Sequence, residues 1–493
     1  MFYSKNYSKL AAFAILLLTF SCQQEQKIKR YDDQLFADYD QYKEQSLKNR
    51  RIKHSQLQPL IDKLRSKEGI EITPLGKSIE GREISMISMG EGDIDILLWS
   101  QMHGNEPTAT MAIFDILNFL TASDTYDAQR QALLKNARIH FIPMLNPDGA
   151  QKFKRRNALN IDINRDALRL QSPEGRILKR VRDSLNADFG FNLHDQSIYY
   201  NAERTEKPAT LSYLATAFDY DKSVNEVREK SMQVIGFMND IVQKYAPGQV
   251  GRYSDDFEPR AFGDNIQKWG TSLILIESGG YKNDTEKQFI RKLNYISILS
   301  ALFGIADNSY ALINPDEYEK IPFNDRKLFD LKIEKMNYEL NGKTYVLDVG
   351  IDLNEVDNED HTSFYSIGKV EDIGDLSTYY GYQTIDATGL DYQQGRTYLL
   401  SDDDDLSSIS FSGLLNDGFV AVSTDMASDS LAFNSYPINF VKKDAGFTTR
   451  LDLGQNATFL LKNGDSLAYV ILNGFVYVPG NSTDFIKNGI VNK

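Results

Sequence analysis

Between Glu83 and about Gly304, short apolar runs alternate with longer segments whose apolar residues recur at helical spacing. The runs Glu83 to Met89, Ile94 to Trp99, Arg138 to Met144, Phe189 to Leu193 and Leu273 to Ile276 have the length and texture of strands. Helices are predicted after Pro107, after Ser172-Pro173-Glu174, from about Ser223 to Tyr245, and in a last segment ending near Gly304. Ser172 and Pro173 make a good helix start, a capping hydroxyl followed by a residue that needs no amide hydrogen. This alternation predicts an α/β fold, a mixed, largely parallel sheet flanked by helices.

The flanks have a different texture. Residues 23–67 are polar and charged, with helical spacing only in the second half (Leu57, Leu60, Ile61, Leu64), which predicts a tether followed by an amphipathic helix. Beyond about Asn308 the helical pattern stops. Stretches such as "GKTYVLDVGID" and "AYVILNGFVYV", divided by Asn341-Gly342, Asn463-Gly464-Asp465 and Asn473-Gly474, predict an all-β C-terminal region of one or two modules. The acidic run Asp402 to Asp405 reads as a solvated loop rather than a calcium site. The predicted division is therefore 1–22, 23–67, 68–308 and 309–493.

Length and charge narrow the function. At 493 residues the chain has room for two or three domains, and a net charge of -14 disfavours a nucleic acid partner. The opening "MFYSKNYSKLAAFAILLLTFSC" has two lysines, an apolar run and a single cysteine, Cys22, the only one in the chain. This is a secretory signal rather than a membrane span, and no apolar run after it approaches transmembrane length. It resembles a bacterial lipoprotein signal, with Thr19 where a leucine is usual. The resemblance implies lipidation of Cys22, attachment to a membrane surface, and a place in the bacterial cell envelope, on the periplasmic side or the cell surface.

Of the five histidines, His103 and His194 each follow a predicted strand, where an open α/β sheet gathers its ligands. Glu106 lies three residues after His103, and Gly104 between them permits a tight turn. Two histidines and one glutamate leave a coordination position open, the pattern of a catalytic zinc site. His54, His140 and His361 have no such company and read as structural. Glu277 ends the strand-like "LILIE", where partial burial raises a carboxyl towards the range of a general base. Arg155, Arg156 and Arg165 cluster after "MLNPDG", and guanidinium groups grip carboxylates.

From about Leu75 to Gly304 the sequence resembles the zinc carboxypeptidases, the funnelin metallocarboxypeptidases, in "GKSIEGREI", "HGNE", "NPDG", "DINRD", "NLH" and "ILIESG". The resemblance implies one zinc ion held by His103, Glu106 and His194, with Glu277 as general base and Arg155 polarising the scissile carbonyl. It further implies that Asn164 and Arg165 bind the terminal carboxylate of a peptide and that Asp162 orients His103. Tyr253 is the nearest counterpart of the tyrosine that closes over the substrate. The segment that normally shapes the specificity pocket carries Asp255, Asp256, Glu258, Arg260 and Asp264 here, which leaves the preferred side chain open. The implied activity is hydrolysis of a C-terminal or carboxylate-flanked amide, with no obligate protein partner. Two other functions remain compatible: a murein-peptide amidase or N-acyl amino acid deacylase on the same zinc, and a peptide-binding lipoprotein without catalysis.

Overall fold

The computed structural model describes residues 30–401, 406–425, 436–443, 447, 450–483 and 491–492. The signal segment with Cys22 and the acidic run at 402–405 lie outside the described residues.

The chain enters through helices α1 (Asp32–Ala37), α2 (Tyr39–Tyr42) and α3 (His54–Leu64). The stretch read as a tether is packed from Tyr31 onward: Leu35, Tyr39, Tyr42, Leu47 and Ile52 are all buried. Their spacing is too irregular for one amphipathic helix, so the pattern understated their burial.

The main sheet contains β1 (Ile70–Lys77), β2 (Glu83–Met89), β3 (Ile94–Ser100), β4 (Ala137–Ile142) and β5 (Phe189–Asp195). After a two-residue strand β6 (Asn201–Ala202) it adds β7 (Leu211–Leu214), β8 (Val250–Arg252) and β9 (Ser272–Ser278). The order is β1-β2-β4-β3-β5-β9-β7-β8. Strands β4, β3, β5 and β9 run parallel, and β1, β2 and β7 join antiparallel. The central strands are apolar on both sides because helices cover both faces. One face carries α4 (Thr108–Leu120), α5 (Asp127–Asn136), α8 (Glu226–Tyr245) and α10 (Gln288–Ala306), packed against a core with Phe191, Leu193, Ile274 and Ile276, and a short α6 (Pro147–Gln151) follows β4. The other carries α7 (Pro173–Leu185) and α9 (Phe262–Lys268), packed on Leu97, Trp99 and Leu273. By length and composition α10 could cross a membrane, contrary to the expectation from apolar runs. Its packing against α4 and α8 makes it a core helix.

Beyond α10 the chain turns to strands. β10 (Asn324–Asp325) pairs with β6, and β11 (Leu328–Leu340), β12 (Lys343–Asp357) and β13 (Phe364–Gly374) form a long antiparallel meander. β14 (Tyr380–Asp386) joins β11 in parallel. A further small sheet with parallel pairing is accompanied by a short helix, Phe411–Asn416. Arg51 ties the two regions together. Its guanidinium lies 4.2 Å from the Phe153 ring and 3.9 Å from the Phe364 ring, and it pairs with Glu355 and Asp357 of β12.

Candidate metal centre

Three adjacent parallel strands, β3, β5 and β9, bring the chemistry to one end of the sheet. Just past β3, Gln101 takes a left-handed φ of 46° and its amide donates to the Gly104 carbonyl at 2.9 Å, closing a turn that turns His103 inward. Gly104 has to be glycine: a Cβ there would stand 2.0 Å from the Gly149 carbonyl carbon. Glu106 follows, separated from α4 by Pro107. His194 is the penultimate residue of β5, and its register partner on β9 is Glu277. Neighbours in parallel register share a sheet face, so the two side chains rise side by side.

His103, Glu106 and His194 are buried, with their ligand atoms within 4.8 Å of one another. His103 Nδ1 lies 2.9 Å from Glu106 Oε1, His194 Nδ1 lies 2.7 Å from Glu106 Oε2, and the two Nδ1 atoms are 3.2 Å apart. On the far side of the first ring, His103 Nε2 meets Asp162 Oδ1 at 3.0 Å. That partner takes the Nε2 hydrogen, which leaves Nδ1 with a lone pair facing the cluster. Arg155 supplies positive charge at the same point: its Nη1 is 3.0 Å from His103 Nδ1 and 3.2 Å from Glu106 Oε1, while its Nε donates to Asp162 Oδ2. Acceptors converging in a buried space need a cation, and two imidazoles with a carboxylate suit zinc.

The carboxyls show the same electrostatics. Burial opposes ionisation of Glu106, yet the charge and hydrogen bond of His103 and the hydrogen bond of His194 hold it well below the usual carboxylate range. Asp162 is likewise depressed despite burial, through His103 and Arg155. Glu277 goes the other way. Burial, followed by the charges of Glu106 and Asp195, pushes it well above the ordinary range, and its Oε2 is buried without a hydrogen-bond partner.

Around this cluster the other predicted residues divide. Asp162 also caps the turn that follows, accepting from Asn164 N at 3.0 Å. Asn164 Oδ1 accepts from Phe262 N at the start of α9, which fixes the amide with its Nδ2 hydrogens uncommitted among the described residues. Arg165 donates to the Asn164 carbonyl at 2.7 Å and lies 3.5 Å from Glu258. Tyr253 is turned inward, with its ring 5.5 Å from that of Tyr200, and its phenol is raised by burial and by the Glu277 charge. Arg156, expected beside the metal, instead points away to the Asn160 carbonyl, because the turn at 157–161 offers it that acceptor.

The acids between Asp255 and Asp264 are mostly occupied. Asp255 pairs with Arg228 and Lys222, Asp256 with Lys222, and Glu258 with Arg260. Asp264 is buried, and that burial pushes it up to about 7. The remaining histidines are structural: His54 meets the Glu83 carbonyl, His140 bridges Ser88 and Asp95, and His361 meets Asp357.

Sequence reasoning missed a second pair at the strand ends. Asp195, next to His194, has a largely buried side chain that takes a hydrogen bond from Thr108 at 2.5 Å and an ion pair from Lys287 at 3.1 Å. The adjacency of Asp195 to His194 was the available signal; Lys287 lay too far along the chain to suggest itself. Asp148 of "NPDG" was also missed as the group that joins two motifs. It accepts from Ser78 Oγ and Glu80 N and pairs with Arg82, so the "GKSIEGREI" turn is held against the loop behind the cluster.

Residues 59–209 match the family described as zinc carboxypeptidase. That segment, under a third of the chain, is similar to the zinc carboxypeptidases. His103, Glu106, Asp162, Asn164, Arg165 and His194 fall inside it, and the family's metal is zinc. Among relatives, an uncharacterised protein of Zymomonas mobilis is 32% identical over 144 residues, covering 28% of this chain and 37% of that protein. Carboxypeptidase SOL1 of Arabidopsis thaliana is 32% identical over 98 residues, covering 19% of this chain and 20% of its own length. Carboxypeptidase D of Homo sapiens is 30% identical over 108 residues, with shares of 19% and 8%. The chain thus spans well under half the length of these relatives. Among solved structures, a metallo-carboxypeptidase from Burkholderia cenocepacia superposes with a TM-score of 0.43 at 15% identity, covering 52% of this chain and 69% of that one.

Proposed function

We propose that the chain is a zinc-dependent carboxypeptidase that hydrolyses the last amide of a peptide bearing a free terminal carboxylate. The observation that carries this reading is the buried convergence of His103, Glu106 and His194 with Glu277 in register beside His194. These three residues would hold the ion; zinc, when bound, supplies Lewis-acid polarisation and lowers the pKa of water enough for attack near neutrality.

The rest is done by the chain itself. Asp162 keeps the His103 hydrogen on Nε2 and fixes the ring. Glu277, with raised proton affinity and an uncommitted oxygen, takes a proton from the attacking water and returns it to the leaving amine. The Arg155 guanidinium already borders the cluster and offers hydrogen bonds to the carbonyl oxygen as it gains charge. Asn164 and Arg165 grip the terminal carboxylate, and the amide of Asn164 is held in place from α9. Tyr253 covers the substrate from beside Glu277.

The test is hydrolysis of paired peptides that differ only in a free or amidated C-terminus, read by mass spectrometry on the zinc-loaded full chain. Loss of the last residue from the free acid alone is expected; equal cleavage of the amide would contradict the reading. Residues 1–22 add a location to the proposal, the bacterial envelope, held by a lipid on Cys22. A metabolic fatty-acid label that disappears in Cys22→Ser is the expected result.

A further inference from the structure

The loops that follow His194 and Glu277 are gripped by the C-terminal β region. Tyr382, on β14, donates its phenol hydrogen to the Ile198 carbonyl at 2.5 Å. Its oxygen also stands 2.1 Å from where a Cβ at position 280 would lie, so a side chain there would displace the Tyr382 hydroxyl from the loop after Glu277. Tyr199 reaches the other way and donates to Asp330 on β11 at 2.7 Å.

Between the two regions lies a cavity of about 550 Å³. This is within the range of roughly 300–1,000 Å³ that encloses specific ligands. Ile198, Gly280 and Lys287 line it from the catalytic side, and Leu353, Gln383 and Phe475 from the β region. His103, Glu106 and His194 are not among its walls. It is joined to them through Lys287, whose Nζ touches Asp195 and the Ser278 carbonyl at 3.1 and 2.8 Å, the residues next to His194 and Glu277.

The charges in its walls are largely spent. Arg50 pairs with Glu355, Lys287 with Asp195, and Asp330 accepts from Tyr199 and from Leu353 N. Asp284 accepts from the first amides of α10. The surface left for a ligand carries one cation, Lys282, and is otherwise neutral: glycine backbone, the side chains of Gln383 and Asn283, and the rings of Tyr281 and Phe475. Such walls suit a strand of polypeptide, with amides to hydrogen-bond and side chains to pack, better than a polyanion.

Position points the same way. Asn164 and Arg165 stand beside α9, which covers one face of the sheet, whereas the cavity lies over the start of α10, which covers the other. The metal cluster is at the strand ends between them. A peptide with its carboxylate on Arg165 and its last amide at the cluster sends its upstream residues towards the α10 side.

We propose that this cavity, walled in part by the C-terminal β region, binds the substrate residues upstream of the scissile bond and so selects for peptide length. The inference rests on the carboxypeptidase reading above. It is tested on the zinc-loaded full chain with an N-acetylated dipeptide and an N-acetylated hexapeptide that share their last two residues. A kcat/KM about tenfold higher for the hexapeptide is expected, carried mainly by KM. Gln383→Trp, which fills the cavity, should bring the hexapeptide down to the dipeptide value, as should Phe475→Ala in part; retained zinc content shows that each variant is folded. Equal values for the two peptides, or a variant that lowers both in proportion, would overturn this inference alone. A rate gain from a muropeptide's sugar instead of from added residues would also overturn it, in favour of a glycan. Cleavage of neither peptide would overturn the carboxypeptidase reading with it.

Discussion

Two groups of buried charge, one between the helices on a face of the sheet and one at its strand ends, are built differently. Asp115 of α4 and Arg291 of α10 are completely buried and satisfied. Arg291 donates to both Asp115 oxygens at 2.5 and 2.7 Å and to the carbonyls of Leu47 and Glu44, while Tyr39 and Glu44 N fill the remaining acceptor positions of Asp115. At the strand ends, His103, Glu106 and His194 turn acceptors towards one another, and Glu277 Oε2, Asp195 Oδ1 and His194 Nε2 are buried without partners. A closed network fastens the N-terminal segment to the core. An open one of the same burial stores unsatisfied acceptors, which is costly unless function requires it.

Each network fails in its own way when cut. Asp115→Ala leaves a buried guanidinium without its counter-charge and should cost about 3–5 kcal/mol in denaturant unfolding, with metal content unchanged per folded chain. Were it tolerated, the closed network would not be the anchor described. Glu277→Gln should slow turnover by roughly 10²-fold or more with zinc still bound and stability equal or higher, since a strained carboxyl is neutralised. Near-normal turnover would remove Glu277 as the base. Asp162→Asn, which takes the acceptor charge from behind His103, should weaken zinc binding by about 10–100-fold in a chelator competition. Unchanged affinity would show that the ring is held by packing alone.

The smallest effect belongs to a pair between these extremes, at the junction with the β region. Burial raises Asp330 to about 6, and burial with the Asp330 charge raises Asp352 to about 8; one oxygen of Asp352 has no partner. Both folded values lie above the unfolded ones, so the folded state holds protons that the unfolded state releases. Their contribution to stability is complete below about pH 4 and is lost as pH rises through 6 and 8, amounting to on the order of 1 kcal/mol or more. Thermal unfolding between pH 5 and 8 should show this loss, and Asp352→Asn should flatten it; an unaltered slope would place the titration elsewhere.

The two networks were not equally legible in the sequence. His103, Glu106, His194 and Glu277 stand where apolar runs stop, and a change of residue type at a strand end is a local signal. Asp115 and Arg291 are 176 positions apart within apolar helical patterns, so nothing local announced that they meet. The anchoring of Asn164 by Phe262 N, 98 positions on, was hidden for the same reason, and the turn that draws Arg156 to Asn160 is backbone geometry that composition does not encode. Period and residue type disclosed the parallel centre of the sheet. The short strands β7 and β8 carry too few residues to show a period.

The central claim is that the strand-end cluster is a cation site, and native mass spectrometry of the full chain tests it directly. One zinc per wild-type chain, lost in the His103→Ala, Glu106→Ala and His194→Ala variants while Asp115–Arg291 keeps them folded, is the predicted result. Wild-type protein that holds no zinc after loading, or a variant lacking all three donors that retains it, would contradict the account.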